Sequence, residues 1–225
     1  MLRAGLWGNS RFVHLWGAAT ISTFGSLVTR TALPFTAILL LDASPSDIGV
    51  LRIADLLPGF VLGLVAGAWV DRLRRKPIMV TTDLGRALLI VTIPVAAFLG
   101  WLGLGQLYVV AALVSALSVF FDVSYQSFLP SLVKNDELVE ANSKLSAAMS
   151  VAEASAFSSA GWLIQLLTAP VAMLIDALTF VASAGLVARI REPELKAESN
   201  PAESRPSIAS EVVEGLRAVW NQPIL

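Results

Sequence analysis

Residues 48–76 read IGVLRIADLLPGFVLGLVAGAWVDRLRRK. Up to Val70 the only charges are Arg52 and Asp55; the run then breaks at Asp71 into the basic cluster Arg72, Arg74, Arg75 and Lys76. At about 1.5 Å per residue, roughly 20 helical residues cross a hydrocarbon core of about 30 Å. Helices of water-soluble proteins are usually shorter, about 10–14 residues. Pro58 in mid-run would break a helix in water, whereas in a membrane neighbouring groups re-satisfy the carbonyl it frees. Gly63 and Gly67, four apart, would let another helix approach closely. This stretch therefore reads as a transmembrane helix that ends in a positively charged loop.

Working outward, five more blocks have the same character: 12–41, 78–99, 107–129, 144–167 and 170–188. Pro34 and Pro94 fall inside two of them. The whole chain is 56% hydrophobic and only 15% charged, against roughly 25% charged residues in a soluble domain. The expected fold is an all-α membrane protein, a six-helix transmembrane bundle over residues 1–190. The first block follows Arg3 and Arg11 but is too long for a signal core and contains Arg30, so it reads as a retained helix.

Lys and Arg accumulate on cytoplasmic loops. Here they lie before the first block (Arg3, Arg11), between the second and third, between the fourth and fifth (Lys134, Lys144) and after the sixth, while the intervening links 42–47, 100–106 and 167–170 contain none. Both termini are therefore expected in the cytoplasm of a multi-pass plasma-membrane protein, the inner membrane in a bacterium. Residues 191–207, rich in Glu, Ser, Pro and Ala, read as a cytoplasmic linker. Across 208–225, Ile208, Val212, Leu216 and Val219 recur at helical spacing opposite Glu211, Glu214 and Arg217, the pattern of an amphipathic helix on the membrane surface. The apolar run that starts near Ile224 looks interrupted, as at the truncated start of a second half.

Composition also excludes whole classes of function. Sixteen Lys and Arg against 17 Asp and Glu leave net charge −1, with no positive surplus for nucleic acid. With no cysteine and one histidine, His14 at the membrane boundary, there is no thiol chemistry and no Cys/His metal site, and no cofactor is expected. Gly100, Gly103 and Gly105 are not a dinucleotide fingerprint, because no strand precedes them. No nucleophile, base and metal converge, so an enzyme is not expected.

The chemistry lies in charges within apolar blocks, each costing about 2.5–3.5 kcal/mol near the bilayer centre on insertion scales. Asp83 and Arg86 are one helical turn apart, and with Asp122 they could form an inner charge network at the level of the basic loop. Arg52 and Asp55 are likewise three apart; with Arg30 and Asp176 they suggest an outer pair or triad. Glu153 lies about 15 Å into the fifth block, near the midplane. A dry site there would favour its protonation and a role in proton coupling; a structural contact to Arg30 or to helix backbone is the other reading. Arg30, Glu153 and Asp176 thus form the candidate set for coupling to proton or substrate, and pairing that only fixes the packing is the alternative for each.

At this point a resemblance emerges. Residues 67–76, GAWVDRLRRK, are similar to the loop signature G-x-x-x-D-R-x-G-R-[RK] between helices two and three of the major facilitator superfamily, carried here by Gly67, Asp71, Arg72, Arg75 and Lys76. Arg74 replaces the second glycine, as is often seen in the branch that exports macrolides and siderophores. The stretches 27–34 (LVTRTALP), 83–87 (DLGRA), 120–130 (FFDVSYQSFLP), 176–180 (DALTF) and 214–225 (EGLRAVWNQPIL), with Asn142, resemble that branch too. The resemblance implies the amino-terminal six-helix half of a twelve-helix secondary transporter, in which two halves rock to open a central cavity alternately to each side. It implies that Asp71 faces the other half and holds the outward-open state, and that Arg75 pairs with an acid on helix four such as Asp122. Three departures stand out: Ser26 follows Gly25 where relatives often carry an acid, Ala156 and Phe157 replace a common Gly-Pro, and only one half is present.

The expected partners are the bilayer, a carboxy-terminal half or a second copy, a small-molecule substrate and protons. The expected function is proton-coupled export of small amphipathic molecules, drug, macrolide-type or siderophore-like. The alternative is a half-size membrane protein acting as a homodimer or as a non-transporting scaffold.

Overall fold

The computed structural model describes residues 5–70 and 73–191, apart from the side chains of Leu64 and Ala68. Asp71, Arg72, most of the expected linker and the expected surface helix at 208–225 lie outside the described residues. Within them the chain forms six long helices: α1 Ser10–Leu41, α2 Pro45–Val70, α3 Arg75–Phe98, α4 Leu104–Leu132, α5 Leu138–Leu167 and α6 Ala169–Ala188. The molecule is an all-α, multi-pass membrane bundle. Among the described residues α1, α3, α4 and α6 are long and apolar enough to cross a membrane. α5 is more polar, carrying Glu140, Lys144, Glu153, Gln165 and six serines.

Every helix starts earlier than its apolar block, most of all α5, which begins at Leu138 rather than near Lys144. A helix continues wherever its backbone hydrogen bonds can, so polar first turns are helical too. Local chemistry sets the ends. Asn9 caps α1 by accepting from the Arg11 and Phe12 N–H groups at 3.1 and 3.4 Å, and its own amide donates to the Leu132 carbonyl at 2.8 Å, tying the start of α1 to the end of α4. Asp42, at φ 48°, turns the chain out of α1. Ser44 then donates its N–H and hydroxyl to the Asp47 carboxylate at 2.9 and 2.7 Å, and Tyr108 of α4 donates to the same carboxylate at 3.2 Å.

α6 packs against α1 and α3, α3 against α4, α4 against α2, and α1 against α5. Exchanging the first three helices with the last three maps these contacts onto one another: α1 with α6 becomes α4 with α3, and α2 with α4 becomes α5 with α1. The main neighbours of the first three helices thus mirror those of the last three. Ala141, Ala148, Ala152, Ala156 and Ala160 make the buried stripe of α5 and let it lie close to α1. Gly63 and Gly67 do not perform this task for α2, because a Cβ built on either meets nothing within 4 Å. The close contact expected from their spacing is therefore absent among the described residues. The tight crossing is at Gly25, whose Cβ would overlap the Thr179 hydroxyl and lie 2.9 Å from the Asp176 Cα.

Two apolar clusters fill the bundle. One, with Leu33, Leu51, Ile90, Leu107 and Met173, lies toward the α1–α2 turn, and the other, with Phe12, Leu15, Met79, Phe128 and Leu145, toward the start of α1. At that second end the Lys76 ammonium donates to the Ala188 and Ile190 carbonyls at 2.8 and 2.7 Å, closing the C-terminus of α6 from the start of α3. A cation there also suits the helix dipole. Lys76→Met should cost about 1–2 kcal/mol, a fall of about 2–8 °C in melting temperature, whereas Lys76→Arg should keep most of it. Thermal melting of the detergent-solubilised protein checks this, and an unchanged midpoint in the Met variant would show that the two contacts do not contribute.

Candidate functional site

Polar side chains form a layer set among the two apolar clusters. Asp83, Arg86, Asp176, Thr29, Ser124 and Ser183 are all buried there. Asp83 and Arg86 lie one turn apart on α3 and form a buried ion pair, with side chains 0% and 4% exposed. Arg86 Nη1 also donates to Ser118 Oγ of α4 at 3.2 Å. Its guanidinium is clamped between two rings, 4.5 Å from the Phe121 centroid and 4.1 Å from the Phe180 centroid. Phe121 belongs to one apolar cluster and Phe180 to the other, so this single cation joins both halves of the core. Stacking of this kind suits a planar guanidinium and not an ammonium.

Asp122 of α4 and Asp176 of α6 both lie within electrostatic reach of Arg86. Asp122 is accessible at a cavity wall, while Asp176 is 1% exposed. Thr179 donates its hydroxyl to Asp176 Oδ1 at 3.3 Å. The Thr29 hydroxyl of α1 lies beside Asp176 and Ser183 beside Asp83, each outside strict hydrogen-bond geometry, which leaves both hydroxyls unpartnered. Asp83 Oδ2 and Arg86 Nε are also buried without a partner.

The layer opens into a cavity of about 410 Å³ between α1, α2, α4 and α5. Leu27, Leu56, Ile90, Val114 and Met149 provide apolar wall, while Arg30, Arg52, Asp55, Asp122 and Glu153 bring charge to it. Volumes of about 300–1,000 Å³ with mostly apolar walls and a few convergent polar groups are typical of small-molecule sites. Arg30 Nε lies 3.8 Å from Asp55 Oδ2, bridging α1 to α2. Pro34, on the same wall, removes the N–H that the Arg30 carbonyl would otherwise accept.

The structure thus brings together Asp83 with Arg86 and Arg30 with Asp55, and it redistributes three other residues. Asp176 joins Arg86 rather than the outer group of Arg30, Arg52 and Asp55, because α6 packs on α3 and the long Arg86 side chain spans the difference in height. Glu153 shares the cavity with Arg30, but the ion pair that Arg30 makes is with Asp55. Asp122 lies near Arg86 and Arg30, not Arg75. Arg75 opens α3 eleven residues before Arg86, about 16 Å along the axis, so the implied pairing of Arg75 with Asp122 is not formed in this conformation. Gly67 borders open space, and Lys76 acts as the cap of α6. The aromatic clamp was not legible in the sequence, since nothing in the spacing of Phe121 or Phe180 pairs α4 with α6 across Arg86.

The structure is thus an all-α membrane bundle with a charged cavity open between its helices. Residues 15–225 match the family described as the Major Facilitator Superfamily, and the chain belongs to it. This is a family of membrane transport proteins, not of enzymes. The chain is 28% identical to an uncharacterized MFS-type transporter, YfiS, of Bacillus subtilis (strain 168), over 94% of this chain and 49% of the relative. It is 29% identical to the multidrug efflux pump Tap of Mycolicibacterium fortuitum, over 92% of this chain and 52% of the relative. The chain spans about half the length of these curated relatives. No solved structure gives a significant match.

Proposed function

We propose that this chain is the amino-terminal six-helix half of a proton-coupled secondary transporter that exports small amphipathic molecules by alternating access. Residues 1–190 form the transmembrane half with both ends in the cytoplasm, 191–207 the linker, and 208–225 a surface helix leading into the second half. The observation that carries this reading is the cavity: apolar walls from α1, α2 and α4 with carboxylates and guanidiniums set into them, in a family whose similar members include a named multidrug efflux pump. An amphipathic drug, macrolide-type or siderophore-like molecule fits such walls, its apolar body against Leu27, Leu56 and Met149 and its polar groups toward Arg52, Asp122 and Glu153. The half supplies one wall of the transport path, and a carboxy-terminal half or a second copy supplies the other. Asp71, Arg72 and Arg75 act at the contact between the halves on the cytoplasmic side, with Asp71 stabilising the outward-open state. Arg30, Glu153 and Asp176 form the set that links substrate and proton to that contact.

The test is export of lipophilic dyes and a panel of drug classes from cells expressing the full-length transporter. Wild type should lower accumulation several-fold, and Asp71→Asn should abolish this while membrane insertion stays intact. Unchanged export by the variant would remove Asp71 from the mechanism. Accumulation unaffected by the wild-type protein across the whole panel would remove the export reading and leave a homodimeric or scaffolding role.

A further inference from the structure

The apolar cluster at the start of α1 closes one end of the cavity. Ala19, Phe121 and Tyr125 belong to both, and Met149 lines the cavity while packing on the cluster. A residue outside the six long helices joins this plug. It is Leu6, 1% exposed, in the short 3-10 turn Leu6–Gly8 that precedes α1.

The segment 5–9 touches three helices at once. On α4, the Asn9 amide donates to the Leu132 carbonyl. On α1, the Trp7 indole stands edge-on to Phe12 and Trp16, with ring centroids 6.3 and 5.2 Å away. On α5, Lys144 Nζ lies 4.8 Å from the centre of the Trp7 ring, a cation–π contact. Glu140, the ion-pair partner of Lys144 at 3.3 Å, comes within 3.9 Å of a Cβ built on Gly5. Trp16 adds an indole N–H donated to the Lys144 carbonyl at 3.4 Å. α5 packs along α1 and touches α6 but has no substantial packing with α4. Apart from the connection between them, segment 5–9 is therefore the bridge from α5 to α4 at this end among the described residues.

The hold is small. One aliphatic side chain is buried, Trp7 is 54% exposed, and the turn is closed by bonds from the Gly8 N–H to the Gly5 carbonyl at 2.7 Å and from the Asn9 N–H to the Leu6 carbonyl at 3.0 Å. Units with so few buried contacts open locally at a fraction of the free energy of global unfolding.

We propose that residues 5–9 form a latch that holds the start of α5 to α1 and α4 and keeps this end of the cavity shut, with Leu6 completing the plug and Trp7 gripping α5. When Leu6 and Trp7 withdraw, the first turns of α5 are free to swing outward, while Ala152, Ala156 and Ala160 keep the rest of the helix seated on α1. In the transporter proposed above this end is the cytoplasmic one, and the latch rests on that reading only for its use in transport.

The sequence has no cysteine, so spin labels can be placed in pairs on the full chain in lipid nanodiscs without removing native thiols. Val139→Cys on α5 with Arg189→Cys after α6 reports the latched end, and Leu99→Cys with Gln165→Cys reports the opposite end; all four positions are exposed. Double electron–electron resonance should give one narrow distance for each pair. Leu6→Ala and Trp7→Ala should each raise the share of a longer distance several-fold in the first pair and leave the second pair unchanged. Lys144→Gln, which removes the cation–π contact and leaves the turn intact, should raise the same component less, so the grip on α5 is read even if the turn variants fold poorly. Equal broadening of both pairs would mean that the segment only stabilises the bundle as a whole, and an unmoved first pair in all three variants would mean that it holds nothing; either result overturns the proposal. A first pair that lengthens as expected keeps the latch even if the wild-type transporter exports nothing, which would count against the export reading alone.

Discussion

Arg86→Leu should leave almost no folded protein. The substitution strands Asp83 as a fully buried carboxylate and takes the Arg86 guanidinium away from Asp176. Breaking one side of a buried pair costs about 3–5 kcal/mol, a large share of the roughly 5–15 kcal/mol that holds a typical fold. The loss of stacking on Phe121 and Phe180 adds to this, and those rings carry the two apolar clusters to which Arg86 is common. Arg86→Lys should recover little, because an ammonium cannot fill a planar slot between two rings while also donating to Ser118 and Asp83. The double variant Asp83→Asn with Arg86→Gln should be clearly more stable than Arg86→Leu, since it leaves no charge at the position of Asp83. Yield of monodisperse protein after solubilisation, followed by thermal melting, reads all three. Wild-type melting of Arg86→Leu would show that the pair is incidental to the fold.

The contrast between Arg86 and the other charges shows what a membrane sequence discloses. Asp83 and Arg86 are three residues apart on one helix, so their meeting follows from helical geometry alone. Arg30 and Asp55 lie on consecutive helices joined by a short turn at similar depths, which made their proximity legible as well. Asp176 was placed with the wrong neighbours because depth was all that the sequence could supply. Its surroundings were chosen by the rotation of α6 about its own axis and by the reach of an arginine from α3, and neither is encoded in spacing. The helices themselves were readable because the lipid imposes a length on each apolar run. Their first turns were not, since polar residues such as Glu140 and Asn142 obey the same backbone hydrogen bonding outside the apolar region.

Glycine shows the same limit and leads to the second large effect. By spacing, Gly63 and Gly67 are the natural contact pair, yet in the structure an added methyl at either meets open space, whereas at Gly25 it meets the backbone of α6. Backbone cannot rotate aside as a flexible side chain can, so even Gly25→Ala must push α1 from α6, at an expected cost of about 1–3 kcal/mol. Gly25→Leu should cost more than that and separate the two helices over the polar layer, exposing Asp176 to the cavity. Alanine at Gly63 or Gly67 should instead be neutral or raise the stability of this chain by about 0.5–1 kcal/mol, the usual gain from removing glycine inside a helix. The opposite signs make the experiment decisive: melting of the four single variants in one detergent. A Gly25→Leu protein as stable as wild type would mean that α1 and α6 do not cross where the structure places them, and the buried position of Asp176 would go with that crossing.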